Sequence, residues 1–306
     1  MQIQYDPELF EVVGSDRTVS DSLVKPSITY WQDAWRRLRK NKVALISLYV
    51  LIVIMLLCAF IPIFSKTSFT EQATELANQP PSAQHWFGMD ELGRDIFVRI
   101  WLAGRVSIII GLGGALISLI IGSLYGGISG YVGGLADDIM MRIVEVILGI
   151  PYLIIVVLVS LALGKGLPAL IIALCITSWT DLARLVRGQV LQLKQSEYVL
   201  ASRALGASPL RIILRHLLPN SMSIIIVNIT FAVPIFIFSE AFLSFIGLGI
   251  QPPFTSWGAM ASLGQQQMSY YPHELIFPAL AISLTMLTFN LLGDGLRDSL
   301  DPKLRQ

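Results

Sequence analysis

VALISLYVLIVIMLLCAFIPIF, residues 43 to 64, runs for 22 residues without a charged side chain. About 20 apolar residues in a helix cross the roughly 30 Å of hydrocarbon in a bilayer. The run follows Arg36, Arg37, Arg39, Lys40 and Lys42. It starts too late and runs too long for a cleaved signal peptide, and no small-x-small site closes it. Val43 to Phe64 therefore reads as a retained membrane anchor.

Similar runs recur along the chain. A second starts near Val106 and meets no charge until Asp137, with glycines at 111, 113, 114, 122, 126, 127 and 130. Such glycines weaken a helix in water but let helices approach closely in lipid, which places this span inside the bundle. Further spans are expected at Ile143 to Gly164, from Leu167 through Asp181 toward Arg184, at Leu217 to Ile246, and at Leu275 to Leu292. Charged residues are only 14% of the chain and hydrophobic ones 54%, against about 25% charged in soluble domains. The fold class is an all-α polytopic membrane protein with six transmembrane helices.

Charge placement orients the set, because Lys and Arg collect on the cytoplasmic side. A cytoplasmic N-terminus puts Arg36 to Lys42, Arg142, Arg184, Arg187, Lys194, Arg203, Arg211, Arg215, Arg297, Lys303 and Arg305 inside. Only Lys66, Arg94, Arg99, Arg105 and Lys165 remain outside. Six spans then leave both termini cytoplasmic. Residues 1–42 form a cytoplasmic segment, 43–298 the membrane domain and 299–306 a tail. External loops fall at about 65–104 and 247–274, and a cytoplasmic loop at about 188–218. In the N-terminal segment, Thr29 or Ser27 caps a short amphipathic helix. It lays Trp31, Trp35 and Leu38 on lipid, or else simply extends the first span.

The 188–218 loop has internal structure. Ser196 is placed as an N-cap and Glu197 suits the first turn of a helix. Gly206 supplies a left-handed stop, and Ser208-Pro209 starts a second helix. Small residues at Ala201, Ala204, Gly206 and Ala207 leave a smooth unit that slides into a cleft of a partner. The alternative is an interfacial helix that only turns the chain around. Within the apolar runs, Glu240 stands out, since a carboxylate there is costly unless paired or wetted. It reads as a gate or structural group near the external mouth, or as an anchor of its helix end at the headgroups. Pro234, six residues earlier, removes a backbone donor.

Glu197 to Pro219 resembles the cytoplasmic coupling signature of bacterial ABC-importer membrane subunits, with Ala201-Ser202 in place of an alanine pair. Phe87-Gly-Met-Asp90-Glu-Leu-Gly93-Arg94-Asp95, Glu240 to Gly249, Pro252 to Gly258, Gly293 to Asp298 and Leu300-Asp301-Pro302 look like the peptide-transport branch. Together they resemble the second permease subunit of oligopeptide/dipeptide importers. The resemblance implies a type I ABC-importer permease fold in the bacterial plasma membrane and half of a translocation pathway. It also implies a second permease, two cytoplasmic ABC ATPases that use the ATP, and an extracellular or periplasmic binding protein that delivers peptide. Docking would fall on Glu197, Ala201, Arg203, Leu205 and Gly206. Oligopeptides are the expected substrates, with dipeptides or nickel chelates as the alternative.

Enzymatic readings find no support. Gly164-Lys165-Gly166 lacks the spacing of a phosphate-binding loop, and neither H-E-x-x-H nor G-x-S-x-G occurs. ATP hydrolysis is therefore expected on partners, with no cofactor bound directly. His85, His216 and His273 are scattered, so no metal site is expected. Cys58 and Cys175 imply no disulfide framework; the net charge of +1 says nothing about nucleic acid, and no nucleic-acid partner is expected. A stand-alone secondary carrier is the competing reading, but no internal repeat is visible. The orientation is testable: cysteines at Gln2→Cys and Gln306→Cys should resist a membrane-impermeant thiol reagent in intact cells. Labelling of either from outside would reverse or break the six-span topology.

Overall fold

The computed structural model describes residues 29–65, 72–164, 166–252 and 254–301. The polar N-terminal stretch before Thr29 and the tail beyond Asp301 lie outside the described residues. Helices account for the regular structure there, apart from one isolated bridge between Met89 and Asp95. Five helices are long and apolar enough to cross a membrane: α2 (Lys42–Phe64), α3 (Ile96–Val132), α6 (Leu167–Leu193), α9 (Met222–Phe245) and α11 (His273–Leu300). A further pair, α4 (Gly134–Gly149) and α5 (Tyr152–Leu163), is membrane-length and apolar only when taken together, and is bent by 86°, the geometry of a broken span or a re-entrant loop. Shorter helices are α1 (Tyr30–Lys40), α7 (Glu197–Ala204), α8 (Pro209–Ile212) and α10 (Trp257–Gln267).

Each run expected from the sequence falls on one of these helices or on the bent pair, with altered limits. The second begins at Ile96, so the loop placed at 65–104 ends at Asp95. Asp95 caps α3 by accepting from Val98 N–H at 3.1 Å, and Ile96, Ile100 and Ala103 are buried. The third is not one straight helix. Pro151 lacks an N–H and forces the residue before it out of helical geometry, and Ile150 is extended at φ −87°, ψ 124°. The fourth continues through Asp181 to Leu193, so the loop placed at 188–218 begins at Lys194. Val186 and Val190 are buried on that extra turn, which is what keeps it helical. The fifth begins at Met222, after a π-turn over Ile213–Leu217 and one further turn, Leu218–Asn220. Pro234 sits inside α9 without dividing it.

The N-terminal helix is separate from the first span. Asn41 breaks the chain in extended geometry, then caps α2 by accepting from Ala44 N–H at 3.1 Å. Trp31 and Trp35 are exposed, but Leu38 turns inward and is buried with Ala34. Tyr30 O–H donates to the Leu300 carbonyl at 2.8 Å, tying α1 to the end of α11. Leu38 is thus a packing residue and not part of a lipid-facing stripe.

The bundle has two dissimilar ends. The loop end carries residues 194–221. The cap end carries 72–95 and α10. Between them the most extensive contact joins α3 and α6. Gly122, Gly126 and Gly130, four apart on α3, face the backbone at Trp179, Ala183 and Arg187, four apart on α6. A Cβ on Gly122 would lie 2.7 Å from the Trp179 carbonyl oxygen, and one on Gly130 would lie 2.8 Å from that of Arg187. At Gly126 the Ala183 carbonyl is closer still. No side chain fits between these helices.

That contact yields a test with an internal control. Gly126→Val should lower the thermal midpoint of the purified protein, by the equivalent of about 1–3 kcal/mol or more, as overpacking does. At Gly113 on the same helix a Cβ meets nothing within 4 Å. Gly113→Ala should leave the midpoint unchanged or raise it.

Candidate functional site

The loop end presents a rigid, exposed helix. Ser196 precedes α7, and its carbonyl accepts from Val199 N–H and Leu200 N–H. Its hydroxyl does not cap the helix; it turns back to donate to the Leu193 carbonyl at 2.5 Å. The stop is fully bonded. Gly206 sits at φ +80°, its N–H donates to the Arg203 carbonyl at 3.0 Å, and Ala207 N–H donates to that of Ser202 at 3.1 Å. This paired arrangement satisfies carbonyls that a helix end leaves free. Ser208 then caps α8 by accepting from Arg211 N–H, with Pro209 in the first helical position.

One face of α7 holds it to the bundle. Val199 is buried in a cluster with Leu182, Val186, Val190, Ile212, Leu217 and Ile225. The other face is open: Glu197, Ala201, Arg203, Leu205 and Gly206 are all exposed. Leu205 is 89% exposed, with Tyr198 and Leu200 beside it. Apolar side chains displayed beyond a polar helix mark a contact surface. The five residues singled out from the sequence therefore share one accessible unit.

The support beneath this unit was not read from the sequence. Asp137 of α4 accepts two bonds from Arg187 of α6, at 2.6 and 2.7 Å, and a third from the Ser129 hydroxyl of α3. Lys194 Nζ donates to the Gly130 carbonyl at 2.9 Å. Three helices are thereby pinned at the root of the loop. Asp137 looked like the end of a span and Arg187 like one more inside charge; only folding shows that residues 50 apart are paired.

Glu240 is on α9 toward the cap end and is fully buried. Its Oε1 accepts from Ser244 at 2.7 Å and from Ser256 at 2.6 Å, and its Oε2 accepts from Ser107 at 3.3 Å. Ser107 accepts from Trp257 N–H at 3.1 Å, and Trp257 Nε1–H donates to the Ile100 carbonyl at 2.8 Å. The carboxylate thus joins α3, α9 and the start of α10. It does not anchor a helix end at headgroups, because no part of it reaches the surface. Nearby, two aspartates build the 87–95 segment. Asp90 accepts from Leu92 N–H, Arg94 N–H and Arg94 Nε, and Asp95 receives His85 Nδ1 at 2.8 Å.

Between α6, α9 and α11 a cavity of about 570 Å³ opens at the loop end. Gln189, Asn220, Ser223, Asn228 and Arg297 give it polar walls. Among the described residues no group of His, Cys, Asp or Glu could hold a metal ion.

Membrane-length helices, a cavity between them and an exposed short helix at one end define a polytopic membrane protein. Comparison with known proteins agrees. Residues 118–306 match the family described as binding-protein-dependent transport system inner membrane component. Residues 29–81 match the N-terminal TM domain of oligopeptide transport permease C. The dipeptide transport system permease protein DppC of Bacillus subtilis is 51% identical over 99% of this chain and 95% of its own length. The oligopeptide transport system permease protein OppC of the same organism is 48% identical over 97% of this chain and 98% of its own. A solved structure of the MetNI methionine ABC transporter, in an inward-facing conformation, shares the fold at a TM-score of 0.51 and 22% identity, covering 66% of this chain and 97% of that one. The chain belongs to the binding-protein-dependent transport system inner membrane component family. It is a polytopic transporter component and not an enzyme, as the sequence resemblance implied.

The Glu240 hub makes a stability prediction. Glu240→Leu orphans three hydroxyls and should cost more than Glu240→Gln, which keeps an acceptor. For the glutamine variant a loss of about 1–3 kcal/mol is expected, the scale of one unsatisfied buried group. Thermal midpoints of the two purified variants check the order.

Proposed function

We propose that this chain is one of two permease subunits of an ATP-driven peptide importer in the bacterial plasma membrane. Its relatives are named for dipeptide and oligopeptide transport, which supports peptides as the substrate class. The polar cavity between α6, α9 and α11 forms part of the path, and the second permease supplies the facing wall. A binding protein delivers peptide at the cap end. Both termini are cytoplasmic, since the arginines and lysines concentrate at the loop end. This chain binds no ATP or other cofactor directly.

The observation that carries the reading is α7 itself. It is a helix with a bonded stop, fixed to the bundle through Val199 and exposed at every residue proposed for docking. Glu197 to Gly206 docks in a cleft of a cytoplasmic ATPase, with Leu205 as the apolar insert and Arg203 toward an acidic edge. When nucleotide draws the two ATPases together, α7 follows as a nearly rigid body. The Arg187–Asp137 pair and the glycine contact carry the movement into α6 and α3. At the far end, the Glu240 brace holds α10 to α3 and α9, so it acts as a structural element of the external gate.

Gly206→Val tests this. A Cβ there meets nothing within 4 Å in this chain, so the chain should insert and fold. Valine is strained at positive φ, so the stop should distort and transport should be lost. Gly206→Asn, which tolerates that conformation better, should retain part of it. In parallel, Ala201→Cys should crosslink to cysteines around the ATPase cleft in the working complex. Normal transport by Gly206→Val, or no crosslink, overturns the docking assignment.

A further inference from the structure

The bend between α4 and α5 opens a cavity of about 380 Å³ against α6 and α9. Pro151 and Tyr152 line it from the bend, Thr177, Ser178 and Asp181 from α6, and Ser239 from α9. The three α6 residues share a face because positions three and four apart are neighbours on a helix. Asp181 is the only charged side chain among the lining residues. It is exposed and forms no ion pair among the described residues. Arg184, three residues on, is also exposed and does not line the cavity.

Depth makes this carboxylate unusual. Asp181 lies 14 residues beyond Leu167, the first residue of α6. That is about 21 Å along the helix at 1.5 Å per residue, well within a hydrocarbon core of about 30 Å. An ionisable group at such depth persists where it faces water or a partner and marks a functional position. Two other aspartates differ in this respect: Asp137 has its arginine and Asp90 has Arg94. Asp181 shares the cavity wall with the hydroxyls of Tyr152, Thr177, Ser178 and Ser239 and with no cation.

We infer that this cavity takes the amino-terminal ammonium of a peptide, with Asp181 as its counter-charge. The inference rests on the peptide-permease reading above. A pathway that accepts peptides of many sequences must grip what all of them share, which is backbone amides and charged ends. An ammonium facing a carboxylate is the strong, sequence-independent contact available here. The hydroxyls of Thr177, Ser178 and Ser239 offer donors and acceptors to the first amide groups. The cavity is at the small end of ligand sites, about 300–1,000 Å³, which suits a terminus and not a whole chain. The remainder of the peptide extends toward the loop end. There the next turns of the same helices, Leu185 and Gln189 of α6 with Asn228 and Phe231 of α9, line the larger cavity.

The test uses the assembled transporter, with its second permease, ATPases and binding protein, in proteoliposomes. Uptake of trialanine is measured below saturation for the unaltered complex and for Asp181→Asn and Asp181→Glu. Asp181→Asn should cut uptake about tenfold or more, since tenfold is about 1.4 kcal/mol and hydrogen bonds to charged groups reach or exceed that. Asp181→Glu should retain most of it. A second measurement works without any variant. Alanine tripeptides carrying a photoreactive leucine at the first or the last position are irradiated in the unaltered complex. The first-position probe should label the segment 174–181, and the last-position probe should not. Normal uptake by Asp181→Asn, or equal or absent labelling by the two probes, overturns the inference alone. Failure of the unaltered complex to take up any peptide overturns the transport reading and the inference with it. If Asp181→Asn does not assemble, the labelling pattern decides.

Discussion

The backbone contact between α3 and α6 sets the geometry of this molecule. Within a bilayer there is little hydrophobic gain in pressing one helix on another, since lipid tails are as apolar as leucine. Association then depends on close packing and on polar groups that find partners. Gly122, Gly126 and Gly130 provide the first by letting α3 rest on the carbonyls of α6. Asp137, Ser129 and Arg187 provide the second at the end of the same contact. Moving α6 without α3 would break both together, so the pair behaves as one body.

The two ends of that body use different chemistry. At the cap end, Glu240 collects three serine hydroxyls and, through Ser107, reaches the backbone of Trp257. Hydroxyls can reorient around a carboxylate without breaking a full ion pair, so this brace joins three helices while adding no second buried charge. At the loop end the support is ionic and bidentate, and the exposed helix is finished by a left-handed glycine with both stop bonds made. A handle held at its root in this way can transmit displacement, as the proposed docking of α7 requires.

The membrane class, the membrane-length apolar runs and the start and stop of α7 were legible in the sequence. Each depends on local chemistry. Uncharged runs of membrane length report crossings because a bilayer admits only internally bonded backbone, and glycine after a short helix reports a left-handed stop. The limits of the spans were less legible. Ile96 to Arg105 reads as loop because it contains Arg99 and Arg105, but Arg105 donates to the carbonyls of Cys58 and Ala59 and Arg99 lies beside Asp90. Hydropathy counts such arginines against a helix that their partners make affordable. Pro151 was visible, yet an apolar run on both sides of it masks the bend.

Glu240 shows the division most clearly. Its sequence position establishes that a carboxylate must be satisfied inside an apolar helix, but not by what. Ser107 and Ser256 come from 133 residues before it and 16 after it, and a serine in a span looks like any other small residue. Asp137 and Arg187 likewise look like ordinary charges at helix ends until folding brings them within 2.6 Å. The sequence by itself determined that this chain is a polytopic membrane protein with a smooth, sharply stopped helix in one loop, because those features depend on neighbours along the chain. Tertiary structure alone decided which charges are paired, where the bent span opens a cavity and which carboxylate is left facing it, because those depend on residues that meet only when the helices pack.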